Sequence, residues 1–296
     1  MIELQNDRYV MIQHATTDGI GRYTFDGLAD GTYYVKVLPF RYDMDEQTQE
    51  VIISTVSAVT GSGGNAYMIQ DFYLTPRKGT LAAAQAEVVV AQEVPKAAKE
   101  QYDAAAKLLK KGKTDEAIPL LEGSLKDFPT YFLANDALGQ IYFHKNDFEH
   151  AAARLLTASQ VYDKSPMTLY MLGVSLGHLN YLPASIIALN SAATLAPESS
   201  MVHLALGKTF LSTKDYKAAE TSLLNAKKFA KTPSGELYQM LARLYKATKQ
   251  YSKAAASLES MLKNGNYSDE AKSSLKKEIQ EYKAKAAANN EKPTDD

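Results

Sequence analysis

Between residues 98 and 268 small and large side chains recur with a 34-residue period, and no other feature of the sequence constrains the fold as strongly. Stepping from Gly139 reaches Gly173 and Gly207, then Ala242 after a one-residue insertion, and in the other direction Ala105. Three positions later stand Leu108, Tyr142, Leu176, Phe210 and Tyr245, none of them polar. Twelve positions after the small residue come Ala117, Ala151, Ser185, Ala219 and Ala254, and four further on Leu121, Leu155, Leu189, Leu223 and Leu258. Residues i and i+4 share a helix face. Each period therefore predicts two amphipathic helices, with the small residues permitting close approach and the leucines sealing the seam. Pro129 and Pro197 stand where the second helix has to stop.

A small residue, a large apolar one three later, an alanine, a leucine and a terminal proline resemble the tetratricopeptide repeat. The resemblance covers five units, residues 98–131, 132–165, 166–199, 200–234 and 235–268. It departs from the family pattern at Ser124 and Met261, where alanine is usual, and at Asp163, Lys231 and Asn266, which replace the closing proline. Beyond the repeats, Ser268 is placed to cap a helix over residues 269–288 whose Ala271, Leu275, Ile279 and Tyr282 follow helical spacing. Asp269 and Glu270 at its start and Lys283 and Lys285 at its end suit the helix dipole. This helix is expected to shield the last repeat, and residues 289–296 to form a disordered tail.

Residues 1–76 carry a different pattern. Ile2 and Leu4 alternate with polar neighbours, residues 9–12 are apolar, and Asp18-Gly19 marks a turn. Tyr23 and Phe25 fit one face of a strand, with Gly27 and Gly31 bracketing a tight connection to Tyr33, Val35 and Val37 on the next. Apolar stretches at residues 51–56 and 67–74 flank the glycine-rich turn at 61–64. Short strands at this spacing predict a small antiparallel β-sandwich ahead of the all-α superhelix. Thr17-Asp18-Gly19, Gly21-Arg22-Tyr23-Thr24-Phe25, Gly27-Leu28 and Gly31-Thr32-Tyr33 resemble the carboxypeptidase-regulatory-like or Cna-B-like domain. That resemblance implies a transthyretin-like sandwich of secreted and cell-surface bacterial proteins, hence an extracytoplasmic setting. Members of that family open with a further strand that the match here lacks, which implies an upstream start or a strand supplied from elsewhere.

The connecting residues 77–97 include the Ala-rich residues 81–86 and a β-branched run, Val88-Val89-Val90, inside residues 87–92. Three adjacent valines would leave apolar surface in water. They are expected either to pack within their own chain, against the sandwich or near Tyr102, or to form a strand that completes a neighbouring molecule's sheet. Repeated head to tail, the second arrangement builds a filament.

Composition excludes several functions. The formal net charge is -1, from 33 basic and 34 acidic residues, so no global field favours nucleic acid. The chain has no cysteine, which removes disulfides, thiolate catalysis and the usual structural zinc sites. No run of about 18 apolar residues is present, so no membrane-spanning segment is expected, and no secretory-signal pattern follows Met1. The glycine-rich residues 61–64 lack the Lys-Ser/Thr ending of a phosphate-binding loop. The five histidines form no His-Glu-x-x-His arrangement; His144 and His178, one period apart, are expected to be exposed turn residues. Asp43, Asp45 and Glu46 offer too few oxygens for a calcium site. No catalytic residue, metal or cofactor is expected.

The remaining candidate is the face lined by the first helix of each repeat, which the resemblance makes concave. There the middle units place Leu133, Phe143, Met167, Tyr170, Val174, Met201, Leu204 and Leu211. Methionine and aromatic side chains adapt to varied partners, and an apolar patch of this kind marks an interface. Some of the eight are alternatively core between neighbouring helices. Lys99, Lys208, Arg243 and Lys246 surround the patch. The Lys and Asn with which some tetratricopeptide domains hold a C-terminal carboxylate are replaced by Tyr102, Ala106, Asp136, Gln140, Tyr170 and Val174, so an apolar helix, an extended segment or a neighbouring subunit suits the groove better. The expected function is a protein-interaction or assembly scaffold. The alternative is a structural subunit of a homo-oligomeric filament joined by strand complementation.

Overall fold

The computed structural model describes residues 1–18, 22–38, 44–54, 69–72, 74, 77–86, 90–265 and 267–292. It divides into two units, Met1–Arg77 and Lys78–Asp296.

In the first unit, β1 (Ile2–Gln5) and β2 (Met11–Ala15) form an antiparallel hairpin, and β3 (Gly31–Val37) and β4 (Gln47–Ile53) complete a sheet of order β2-β1-β3-β4. The pleat decides what is buried. Ile2, Leu4, Val35, Val37 and Val51 turn to one face and form the core, while Ile52 points the other way into solvent. The expected antiparallel domain is present, but the strand expected at Tyr23 and Phe25 is not. β3 already pairs with β1 on one side and β4 on the other, so no ladder position beside it is vacant. Residues 22–28 instead lay Tyr23, Phe25 and Leu28 over the core face, joined by Phe72 and Leu74. The Tyr23 hydroxyl donates to the Gln70 carbonyl at 2.9 Å. Among the described residues a single sheet thus carries a layer of irregular chain where a second sheet was expected. The glycine-rich turn at 61–64 lies outside the described residues.

The second unit begins with a short helix, α1 (Leu81–Ala86). Five antiparallel pairs follow: α2 (Lys96–Leu109) with α3 (Thr114–Asp127), α4 (Phe132–His144) with α5 (Phe148–Val161), α6 (Pro166–His178) with α7 (Leu182–Leu195), α8 (Ser200–Ser212) with α9 (Tyr216–Phe229), and α10 (Gly235–Ala247) with α11 (Tyr251–Asn264). A long final helix, α12 (Asp269–Ala288), packs on α11.

The periodic columns explain the pairing. All five leucines are buried. A Cβ added at Gly139, Gly173 or Gly207 would lie 2.5, 2.6 and 2.5 Å from the side chain of Leu155, Leu189 and Leu223, so these helices touch at a distance only glycine permits. Each intrapair turn has one residue of positive φ, Gly112, Asn146, Asn180, Lys214 or Lys249. The next residue's N–H returns to the carbonyl of the large apolar column, as in Asp147 N to Tyr142 O and Asp215 N to Phe210 O, which closes a Schellman turn. Asp147 and Asp215 then cap α5 and α9. α12 starts at the expected cap, with Ser268 Oγ accepting from Ala271 N, and buries Ile279 and Tyr282. The tail expectation needs correcting at Glu291, whose carboxylate accepts from Ser252 N at 2.8 Å and so caps α11. Residues 293–296 lie outside the described residues.

Candidate functional site

The eight residues of the expected groove sit on α4, α6 and α8, the first helices of the second, third and fourth pairs. The structure treats them unequally. Leu133 and Met201, equivalent positions two periods apart, are 38% and 39% exposed. The other six are half-buried. Met167, Tyr170 and Val174 pack against the core between α6, α7 and α8. Leu204 and Leu211 pack against the core at the C-terminal end. Phe143 meets Tyr170 with ring centroids 6.5 Å apart and Phe148 at 6.0 Å. Most of the row is thus the outer layer of the helix seams, with Leu133 and Met201 as its free ends.

The surrounding cations are engaged. Lys99 pairs with Asp103 and Lys208 with Glu236, both at 2.7 Å. His178 stacks on Phe148 with centroids 4.0 Å apart, and burial followed by the Lys208 charge holds its imidazole below the usual histidine range. His144 lies edge-on to Phe143, and both histidines are exposed at the ends of their helices, as expected. Among the described residues no cluster of three side chains could hold a metal ion, and no helix is long and apolar enough to cross a membrane. Asp43 of the acidic loop lies outside the described residues, and Glu46 pairs with Lys36 at 3.1 Å.

The possible strand at residues 87–92 falls partly outside the described residues. Val88 and Val89 lie outside the described residues, and Val90 is half-buried but not in a strand. Residues 79–86 and 90–92 make contacts that were not legible in the sequence: they meet the starts of three first helices in reverse order. The Gly79 carbonyl accepts from Glu198 N at 2.8 Å, just before α8. Leu81 is 1% exposed within the core shared with Leu169, Leu189 and Val202. Gln85 Oε1 accepts from Met167 N at 3.3 Å and from Ser165 Oγ at 3.0 Å, at the start of α6. Gln92 accepts from Phe132 N at 2.7 Å and donates to Thr130 O at 3.0 Å, at the start of α4. The first helical N–H groups have no partner inside their own helix, and these glutamines supply one. The one sequence signal for the segment was Thr80, which caps α1.

Gln85 also ends a buried polar chain. Thr168 Oγ1 lies 2.5 Å from Asp136 Oδ1 and 2.6 Å from Ser165 Oγ, and Gln140 Nε2 donates to Asp136 Oδ2 at 2.6 Å. Three oxygen-to-oxygen links run from Asp136 to Gln85, but two hydroxyls supply only two hydrogens. A proton on Asp136 would complete the chain. Its neighbours are the neutral Thr168, Gln140 and Tyr102, and desolvation raises its carboxyl above the usual aspartate range against the smaller opposing effect of the hydrogen bonds. With the folded pKa raised, stability from this group is fully present below the unfolded value and is lost as pH rises through the folded one. Asp136→Asn places an amide N–H where the acid proton would sit. It is therefore expected to raise the urea midpoint at neutral pH, with the gain disappearing in acid. Urea titrations across pH check this, and a pH-independent gain would exclude the titration of Asp136 as its cause.

The comparisons with known proteins fit this architecture. The tetratricopeptide repeat family matches residues 108–167 and again 235–263. No curated protein matches the chain. Among solved structures, MamA residues 41-end from Desulfovibrio magneticus RS-1 is similar with a TM-score of 0.52 at 14% identity, over 57% of this chain and 96% of that one. YrrB, a TPR protein described as having an unusual peptide-binding site, has a TM-score of 0.52 at 16% identity, over 56% and 85%. PilW, described as a type IV pilus biogenesis factor, has a TM-score of 0.50 at 18% identity, over 66% and 94%. The helical unit has the fold of a tetratricopeptide-repeat array.

Proposed function

We propose that this protein is a non-catalytic interaction scaffold that binds an apolar segment of a protein partner along the first helices of its middle repeats. The observation that carries this reading is the row on α4, α6 and α8, which ends in the exposed Leu133 and Met201. Exposed methionine and leucine at repeated positions offer an adaptable apolar contact on a rigid support. An extracytoplasmic setting belongs to the same reading and rests on the resemblance of the N-terminal unit.

Peptides selected from a displayed random library on the wild-type chain test the groove. Binding is expected to fall at least tenfold in a Leu133→Asp, Met201→Asp variant whose helical melting profile is unchanged, because both side chains project into solvent. Tyr170 is unsuitable for this test, since it packs into two cores and its loss would disturb the array. Peptides that bind the variant as well as the wild type would place the binding surface elsewhere.

A second reading, self-association by strand addition, is supported by β2, an edge strand of the described sheet. Met11 and Ile12 are exposed on it, as are Tyr9 and Val10 just before it. An apolar edge invites pairing. Light scattering of the wild type and the groove variant separates the two readings, because assemblies joined through β2 persist in that variant.

A further inference from the structure

The contacts of residues 79–86 and 90–92 have the form of a peptide complex within one chain. Main-chain recognition occurs at Gly79, an apolar anchor is provided by Leu81, and side-chain amides at Gln85 and Gln92 meet helix starts one repeat apart. We propose that the starts of α4, α6 and α8 form a peptide-docking track, and that Gly79, Leu81, Gln85 and Gln92 are the contact residues of its resident ligand, held in cis. The track takes a segment with a glycine, a leucine two residues on, a glutamine four beyond that and another seven further.

Each station has a physical reason for its residue. Gly79 has φ +73°, and a Cβ there would meet Glu198 Cγ at 2.9 Å, so any other residue is strained both by its backbone and by the neighbouring helix start. Leu81 enters a core that already contains Leu169, Leu189 and Val202, so the segment is an integral part of the seam between α6 and α8. Gln92 pairs in both directions with the main chain, donating to Thr130 and accepting from Phe132, as a peptide group would. Gln85 engages both a backbone N–H and a buried hydroxyl at α6. Gly79, Gln85 and Gln92, six and seven residues apart in sequence, meet the starts of α8, α6 and α4 in turn. A ligand lacking that spacing could satisfy one station but not all three. The inference rests on these contacts and not on the proposed groove, although Met167 belongs to both, its N–H pairing with Gln85 and its side chain packing on the core that Leu81 enters.

The test uses the full-length chain. Leu81→Asp puts a charge where the anchor is buried and should free the segment. A fluorescent synthetic peptide of residues 78–93 is then titrated by anisotropy into this variant and into the wild type. Saturable binding to the variant is expected, with at least tenfold weaker binding to the wild type, whose track is occupied in nearly every molecule. A peptide carrying Gln85→Ala should bind at least about fivefold more weakly, since one neutral hydrogen bond is worth about that and Gln85 accepts two. Should Leu81→Asp lose helical signal, a full-length Gln85→Ala, Gln92→Ala chain takes its place, because those side chains are only half-buried. Absence of saturable binding to a folded released chain overturns the proposal. Equal binding to released and wild-type chains overturns it as well, since the peptide would then occupy some other surface.

Discussion

Replacing Leu189 with alanine is expected to lower the stability of the array by about 2–5 kcal/mol, measured as a shift of the urea midpoint followed by helical circular dichroism. The magnitude follows from its position. Leu189 is fully buried, faces Gly173 across the α6 and α7 contact, and shares its core with Val202 and Leu206 of α8 and with Leu81. Truncation therefore opens a cavity bordered by three helices and the docked segment, none of which can collapse into it without disturbing the next seam. Ile187, two residues earlier and 69% exposed, is the control, and its replacement by alanine should change stability by less than about 0.5 kcal/mol. The pair with Gly173 sharpens the result. Gly173→Ala alone drives a methyl to 2.6 Å from Leu189 and should destabilise, whereas in the Leu189→Ala background the side-chain clash is gone, only the contact with the main-chain N of residue 189 at 3.2 Å remains, and the cost should be much smaller. An unchanged midpoint for Leu189→Ala would refute the assignment of the leucine column to the seam.

The repeat was legible because its physics is local and periodic. Glycine opposite leucine, asparagine in a left-handed turn and a cap such as Asp147 each state their reason within a few residues. Lys214 and Lys249 adopt the same left-handed turn without any such signal, and there the periodic packing on both sides overrides the residue's own preference. The N-terminal unit was legible as a sheet but not in its order. Tyr23 and Phe25 have strand-like alternation, yet whether they pair or cover depends on β1 and β4, one far upstream in the sheet and one following later in the chain. For the groove, periodic spacing identified the helix face but not how deeply the neighbouring helices would bury Tyr170 or Val174. The docked segment was least visible. Its anchors are one leucine and two glutamines in an Ala-rich run, and their meaning lies entirely in helix starts some 40 to 120 residues away. Apart from Thr80, which caps α1, nothing in their immediate surroundings distinguishes them from a linker.

Tyr282→Ala tests whether the array behaves as a chain of neighbours or as one block. Tyr282 is 2% exposed at the seam of α12 with α10 and α11, its ring lies 6.2 Å from that of Tyr251, and Lys246 Nζ sits 5.7 Å above it. Its hydroxyl donates to Glu278 Oε1 at 2.5 Å, and burial, reinforced by that hydrogen bond, pushes it well above the usual phenol range. Removing the ring is expected to cost about 3–5 kcal/mol, comparable with Leu189→Ala, while Tyr282→Phe keeps the ring and should cost only about 1 kcal/mol. The consequences of the two large losses should nevertheless differ. In a solenoid each pair contacts only its neighbours, so a terminal defect frays from its end while a central one severs the array. Hydrogen exchange of Tyr282→Ala should accordingly show lost protection in α10, α11 and α12 with α4 to α7 still protected. In Leu189→Ala the loss should centre on α6, α7 and α8. Uniform loss along all helices in Tyr282→Ala would mean that stability is shared across the whole unit. The docked segment, which ties the starts of α4, α6 and α8 together, would then be the element best placed to share it.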